Sequence, residues 1–223
     1  MHCLLAHYKR IAIQGEIRLR LNKELYREDV MPEKPKVLNE EIVADTAIFR
    51  IQSQQLRFSN GVERTYERLV AKGNHAGAVM IVAVNDDNEV MLIREYSAGT
   101  ECYELSLPKG LIEHGETLHD AANRELKEEV GMGAENIQFL SEMTVSPGYM
   151  SYRLQVVIAT GLYPEKLEGD EPEPIEVIPT DMDEAIQLAN GDQITEARAI
   201  AALYMTRERL KANEILQEVP SLF

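Results

Sequence analysis

The chain has 223 residues, 44% hydrophobic and 27% charged, a composition that supports a packed core and excludes wholesale disorder. Its formal net charge of −15 excludes the basic field of a nucleic-acid or anionic-membrane surface. A small phosphorylated ligand stays possible, because a bound cation can invert the local sign. The two cysteines, Cys3 and Cys102, cannot build a disulfide framework or a four-cysteine zinc site. They fit thiols in a reducing compartment. No run approaches the roughly 18 apolar residues of a membrane span. The opening MHCLLAHYKRIAIQ lacks the apolar core and cleavage site of a secretory signal. The expected location is cytoplasmic, with neither nucleic acid nor membrane as partner.

Residues 1–30 carry six Lys/Arg against four Asp/Glu, while the other 193 residues carry 17 against 34. This contrast marks residues 1–30 as an N-terminal extension, either from an upstream start codon or as a private helix, with an amphipathic arm as the rival reading. Met31 begins MPEKPKVLNEE, a polar opening expected to be disordered. Residues 31–72 are expected to hold N-terminal strands and 73–223 the main domain. IFRIQSQQLRF runs into Ser59–Gly61, a hairpin signal, and VERTYERLVA returns. AGAVMIVAV (76–84) predicts a strand buried on both faces. NDDN (85–88) predicts a turn, and EVMLIREY (89–96) answers it. YELSLPKG (103–110) is a short strand broken by Pro108 and Gly110. A helix follows, capped by Thr117 or Asp120 and ended by Gly131 or Gly133. Strands are expected at 137–145 and 153–162, an acidic proline-rich loop at 163–177, and helices near 181–190 and 195–212. The order suggests a mixed sheet between helices.

Within that first helix, Glu125, Glu128 and Glu129 fall within roughly one third of the circumference. Each like-charged neighbour at i+3 or i+4 costs on the order of 0.2–0.5 kcal/mol. Arg124 and Lys127 are expected to point elsewhere on the wheel and offset little. Two readings fit the spacing: a solvated acidic face, or carboxylates converging on a hard divalent cation. Magnesium suits the second, since it takes oxygen ligands and shares its shell with substrate phosphates.

The longer pattern is more specific. Gly110, five residues, Glu116, seven residues, then Arg124-Glu125-Leu126-any-Glu128-Glu129-any-Gly131-Met132 resembles the Nudix box at every fixed position. The resemblance implies hydrolysis of a nucleoside diphosphate linked to another moiety, and an α/β/α sandwich with a mixed sheet. It implies Glu125 and Glu129 as principal metal ligands, Glu128 as a third ligand or water-orienting group, and the carbonyl of Lys109 or Gly110 as a backbone ligand. The implied metal is Mg²⁺, with Mn²⁺ as the alternative. Glu116 and Arg124 become the pair that holds loop to helix, and Gly110 and Gly131 serve backbone conformation. His114 and His119 sit at variable positions and read as surface residues.

The flanking LIREYSAGTECYELSLPKGLIEHGE resembles the branch of the family that cleaves ADP-ribose and related ADP compounds. In that family a proline about fifteen residues past the box accompanies ADP-ribose activity, and a tyrosine slightly farther on accompanies diadenosine polyphosphate activity. SPGYMSY offers both, as Pro147 and Tyr149. Ser97 stands where this branch often has a substrate-binding arginine, and Arg94 is a candidate substitute. Tyr66, Tyr96 and Tyr149 are candidate adenine-stacking residues. Related enzymes bring a catalytic glutamate from a loop after the box; here Glu168, Asp170, Glu171 and Glu173 are available, with Glu171 and Glu173 foremost. The resemblance also implies a homodimer in which the N-terminal strands complete the partner's site. The alternatives are a diadenosine-polyphosphate or nucleotide-sugar hydrolase and, in another class, a non-catalytic ligand-sensing module.

Overall fold

A computed structural model describes residues 33–72 and 77–218, with side chains as far as residue 212. The extension at residues 1–30 lies outside the described residues.

The N-terminal strands form a sheet of their own. β1 (Lys36–Asp45), β2 (Arg50–Arg57) and β3 (Glu63–Val70) pair antiparallel in the order β1-β2-β3. Ser59–Gly61 makes the predicted turn between β2 and β3, with Gly61 at φ 82°. β1 begins inside the stretch expected to be disordered. Its residues are almost all exposed, so the apolar alternation that would announce a strand is missing; pairing to β2 orders it instead.

The main domain is built on β4 (Ala78–Ala83), whose six residues are all buried. β4 runs parallel to β9 (Arg153–Pro164) and antiparallel to the short β7 (Lys109–Leu111). β8 (Met132–Thr144) closes the far side of β9, giving the order β7-β4-β9-β8. A second sheet, β10-β5-β6, contains β5 (Glu89–Ser97), β6 (Cys102–Ser106) and β10 (Glu176–Asp181). The NDDN turn before β5 is held by the Asn85 side chain, which accepts from the backbone N–H groups of Asp87 and Glu89 at 3.0 and 2.8 Å.

Helices cover both faces. α1 (Leu118–Glu125) presents Ala121 and Ala122 to Val79, Ile81 and Ala83. α2 (Met182–Asn190) and α3 (Ala197–Glu218) cover Met80, Val82 and Leu92 on the other side. The alternating side chains of β4 therefore feed two cores, which is why its sequence is apolar throughout.

β10 falls within the stretch read as loop and helix start. Pro179 disguised it, but β10 is an edge strand, where a residue without an N–H is tolerated. Replacing Leu126, fully buried beside Ala121 and Ile81, with alanine is expected to cost about 2–5 kcal/mol. A lowered urea midpoint at unchanged slope will check this.

Candidate active site

The helix is capped by Thr117, whose hydroxyl accepts from the Asp120 N–H at 3.1 Å. It does not run on as a plain α-helix. After Glu125 the chain widens into a π-helical turn, Leu126–Val130, and ends at Gly131 in the left-handed conformation, φ 76° and ψ 23°. The Gly131 N–H donates to the Leu126 carbonyl, closing the wide turn.

This geometry turns Glu125 and Glu129 inward. They are 8% and 3% exposed, so the solvated-face reading fails for both. Burial pushes the Glu129 carboxyl up to about 8, against the backbone N–H and charge of Lys109, which draw it down. That N–H donates to Glu129 Oε2 at 2.9 Å. Burial also raises Glu125, with Arg124 opposing and the charges of Glu128 and Glu171 assisting.

Contrary to the expectation, Arg124 does not point away from the acids; Glu128 is its i+4 neighbour on the same face. Its Nε donates to Glu116 Oε1 at 2.8 Å, and its Nη1 donates to both Glu125 and Glu128 at 2.8 Å. Its Nη2 reaches Glu116 Oε2 at 3.1 Å and the Leu111 carbonyl at 2.9 Å. One guanidinium thus ties the loop to the helix and sits among the acids. Hydrogen bonding to Arg124 in turn holds the Glu116 carboxyl below its ordinary range. Lys127 did fall outside this cluster: it pairs with Glu165 at 2.8 Å.

Gly110 serves a different end from the one expected. Its backbone is not left-handed; a Cβ there would lie 2.0 Å from the Glu125 carboxylate. The requirement is room for a buried acid, not conformational freedom. Gly131 does need its positive φ.

The acidic loop folds back over the helix. The Leu167 N–H donates to the Lys127 carbonyl at 3.1 Å, and Lys166 Nζ to the Glu128 carbonyl at 2.9 Å. A Cβ on Gly169 would meet Glu171 Oε2 at 2.3 Å and Glu128 Cβ at 3.6 Å, so Glu171 and Glu128 flank one point. Beyond it lies a cleft of about 300 Å³ lined by Arg94, Tyr96, Tyr103, Glu171 and Glu173, among others. Tyr96 and Tyr103 stand opposite each other in the β5–β6 register, ring centroids 5.5 Å apart, edge to face. Arg94 pairs with Glu176 at 2.8 Å.

Pro147 and Tyr149 are elsewhere. They line a separate cleft of about 240 Å³ with Tyr66 and Arg68 of β3. Their loop is stitched to that strand: the Leu69 N–H donates to the Tyr149 carbonyl at 2.7 Å, and the Ser151 N–H to the Leu69 carbonyl at 3.1 Å. His119 is exposed, as expected.

Two residues of the site escaped sequence reasoning. Glu95 accepts from Lys109 Nζ at 2.6 Å and faces Glu129 closely enough to raise its proton affinity. Tyr103 faces Tyr96 and donates its hydroxyl hydrogen bond to Glu173. The turn at 98–101 registers Tyr96 against Tyr103, a pairing that no linear motif records.

Among the described residues, no three acidic, histidine or cysteine side chains are drawn together as a ready metal cage. The donors nonetheless suit a hard cation. They are carboxylate oxygens, two of them buried, and Arg124 is shared among Glu116, Glu125 and Glu128. Among the described residues no helix is long and apolar enough to cross a membrane.

Comparison with known proteins bears on this geometry. Residues 74–208 match the model of the NUDIX domain, and residues 35–68 that of the NudE-type Nudix hydrolase N-terminal domain. The chain is 48% identical over 179 residues to ADP compounds hydrolase NudE of Escherichia coli, covering 80% of this chain and 95% of that protein. It is 28% identical to an ADP-ribose pyrophosphatase of Bacillus subtilis, covering 82% and 98%. A crystal structure of an ADP compounds hydrolase superposes with a TM-score of 0.77 at 46% identity, covering 82% and 98%.

The raised Glu129 carboxyl has a consequence for stability. The folded chain keeps this proton to about pH 8 while the unfolded chain releases it near its ordinary value of 4.5. Stability from this group is therefore present at low pH and lost as pH rises between those values. In chelator, the free energy of unfolding should fall by roughly 3 kcal/mol between pH 5 and 8. Denaturant titrations across that range check this, and Glu129→Gln should remove most of the slope.

Proposed function

Since this chain belongs to the Nudix hydrolase family, we propose that it hydrolyses the pyrophosphate bond of ADP-linked compounds, giving AMP and the phosphate of the other half. The supporting observation is the pair of buried carboxylates, Glu125 and Glu129, within electrostatic reach of Glu171 and Glu95 respectively, two residues that line the cleft with the paired tyrosines. Glu125, Glu129 and Glu128 are the residues that would hold Mg²⁺, or Mn²⁺ in its place. When bound, such a cation screens the diphosphate and makes a coordinated water acidic enough to attack phosphorus.

The chain's own residues supply the rest. Glu129, whose proton burial holds in place, would release it on holding a cation, so cation binding and deprotonation would be linked. Arg124 fixes Glu125 and Glu128 in place before substrate enters. Glu171 takes the role of proton acceptor for the attacking water in this reading, supported by its closeness to Glu128 and its place in the cleft lining. Tyr96 and Tyr103 offer ring faces and edges for adenine. Arg94 reaches the other moiety by exchanging its Glu176 partner for substrate oxygen.

We propose ADP-ribose, NADH and diadenosine oligophosphates as the substrate range. The presence of both Pro147 and Tyr149 favours breadth over a single compound. We also propose a homodimer joined through the N-terminal sheet, where Val37, Leu38, Ile42, Val43, Ile48 and Phe49 are exposed. The cleft holding Pro147 and Tyr149 abuts this sheet, so a partner's strands would reach it. A cytoplasmic setting fits the exposed free thiol of Cys102.

With ADP-ribose and Mg²⁺, AMP release is expected, and chelator should abolish it. Glu129→Gln should lower kcat by about a thousandfold or more. AMP release by Glu129→Gln at the wild-type rate would overturn the ligand assignment. Light scattering should give twice the chain mass; a monomer at micromolar concentration overturns the dimer.

A further inference from the structure

The loop that carries Glu171 is pinned at three points. Lys166 and Leu167 hold its start to the carbonyls of Glu128 and Lys127. Its end enters β10, where Glu176 pairs with Arg94 in register and by an ion pair. Between these lies a third contact: the Tyr103 hydroxyl donates to the Glu173 carboxylate, joining β6 to the loop across the mouth of the cleft. Pro172 and Pro174 flank Glu173 and restrict the backbone on either side. The edge-to-face contact with Tyr96 steadies the Tyr103 ring. Glu171, two residues earlier, also lines this cleft, with its carboxylate over Gly169, close to Glu128 and within electrostatic reach of Glu125. Glu173 thus faces the tyrosine while Glu171 faces the acidic helix.

Resting on the function proposed above, we propose that Tyr103 is a positioning residue, whose hydroxyl latches Glu173 and thereby sets Glu171 against Glu128. Glu173 is then an anchor, and Glu171 is the loop's chemical group. Substrate that enters the cleft beside Tyr96 and Tyr103 meets the latch directly, so loop placement and substrate placement are coupled.

Tyr103→Phe keeps the ring and removes the latch. It should lower kcat for ADP-ribose roughly tenfold with KM within about twofold, in the middle of the range for a coupled pair. Glu173→Ala should match it, and the double variant should lose no more than either single one. Glu173→Gln, which keeps an oxygen for the tyrosine to donate to, should lose less than Glu173→Ala. Amide hydrogen exchange across residues 167–175 should quicken in Tyr103→Phe, a readout independent of turnover. Wild-type kcat with unchanged exchange in Tyr103→Phe overturns the proposal, as do losses that simply add in the double variant. Glu129→Gln run alongside separates the two ideas. Its inactivity with an unaffected Tyr103→Phe sinks the latch alone, whereas its full activity sinks the underlying reading while the exchange result still decides the latch.

Discussion

A carboxylate taken out of water must meet positive charge or keep its proton. Glu125 and Glu129 are both taken out of water, and that constraint organises the surrounding chain. Arg124 stands among the acids, the N–H of Lys109 is offered to Glu129, and Gly110 vacates the space that Glu125 fills. The π-helical turn belongs to the same arrangement. It sets both acids against the sheet while Leu126 remains packed in the core. Stability alone would not keep such a cluster, since like charges and buried acids each cost free energy. The destabilised arrangement is what a cation-dependent site requires.

The sandwich was legible where burial had left a mark. β4 announced itself because both of its faces are covered, and the box announced itself because its chemistry needs fixed residues at fixed spacing. β1 and β10 were not legible, for opposite reasons. β1 lies in the open, with no apolar period to read; β10 carries a proline that only an edge position tolerates. The expectation for Arg124 overlooked its i+4 neighbour: at 100° per residue Glu128 stands only about 40° away on the same face, and Glu116 reaches the same guanidinium from the loop. Tyr103 was overlooked because its importance comes from a cross-strand register and a partner seventy residues on, neither of which a linear motif records.

The two clefts divide the work differently from the sequence. Glu171, Glu173, Arg94 and Tyr96 come from segments far apart in the chain and meet at one mouth. Pro147 and Tyr149, nearer to the box in sequence than Glu171 and Glu173 are, lie at the other cleft against β3. The strand order explains this. β5 and β6 bring the tyrosines beside β10 and its loop, while the segment between β8 and β9 is carried outward to the N-terminal sheet.

That stitching through Leu69 has an evolutionary corollary. The stretch bearing Pro147 and Tyr149 shares its backbone bonds with a peripheral module instead of the sandwich. Transplanting it alone into another chain would break those bonds, so the two segments form one inherited unit: sheet and loop travel together, or neither travels.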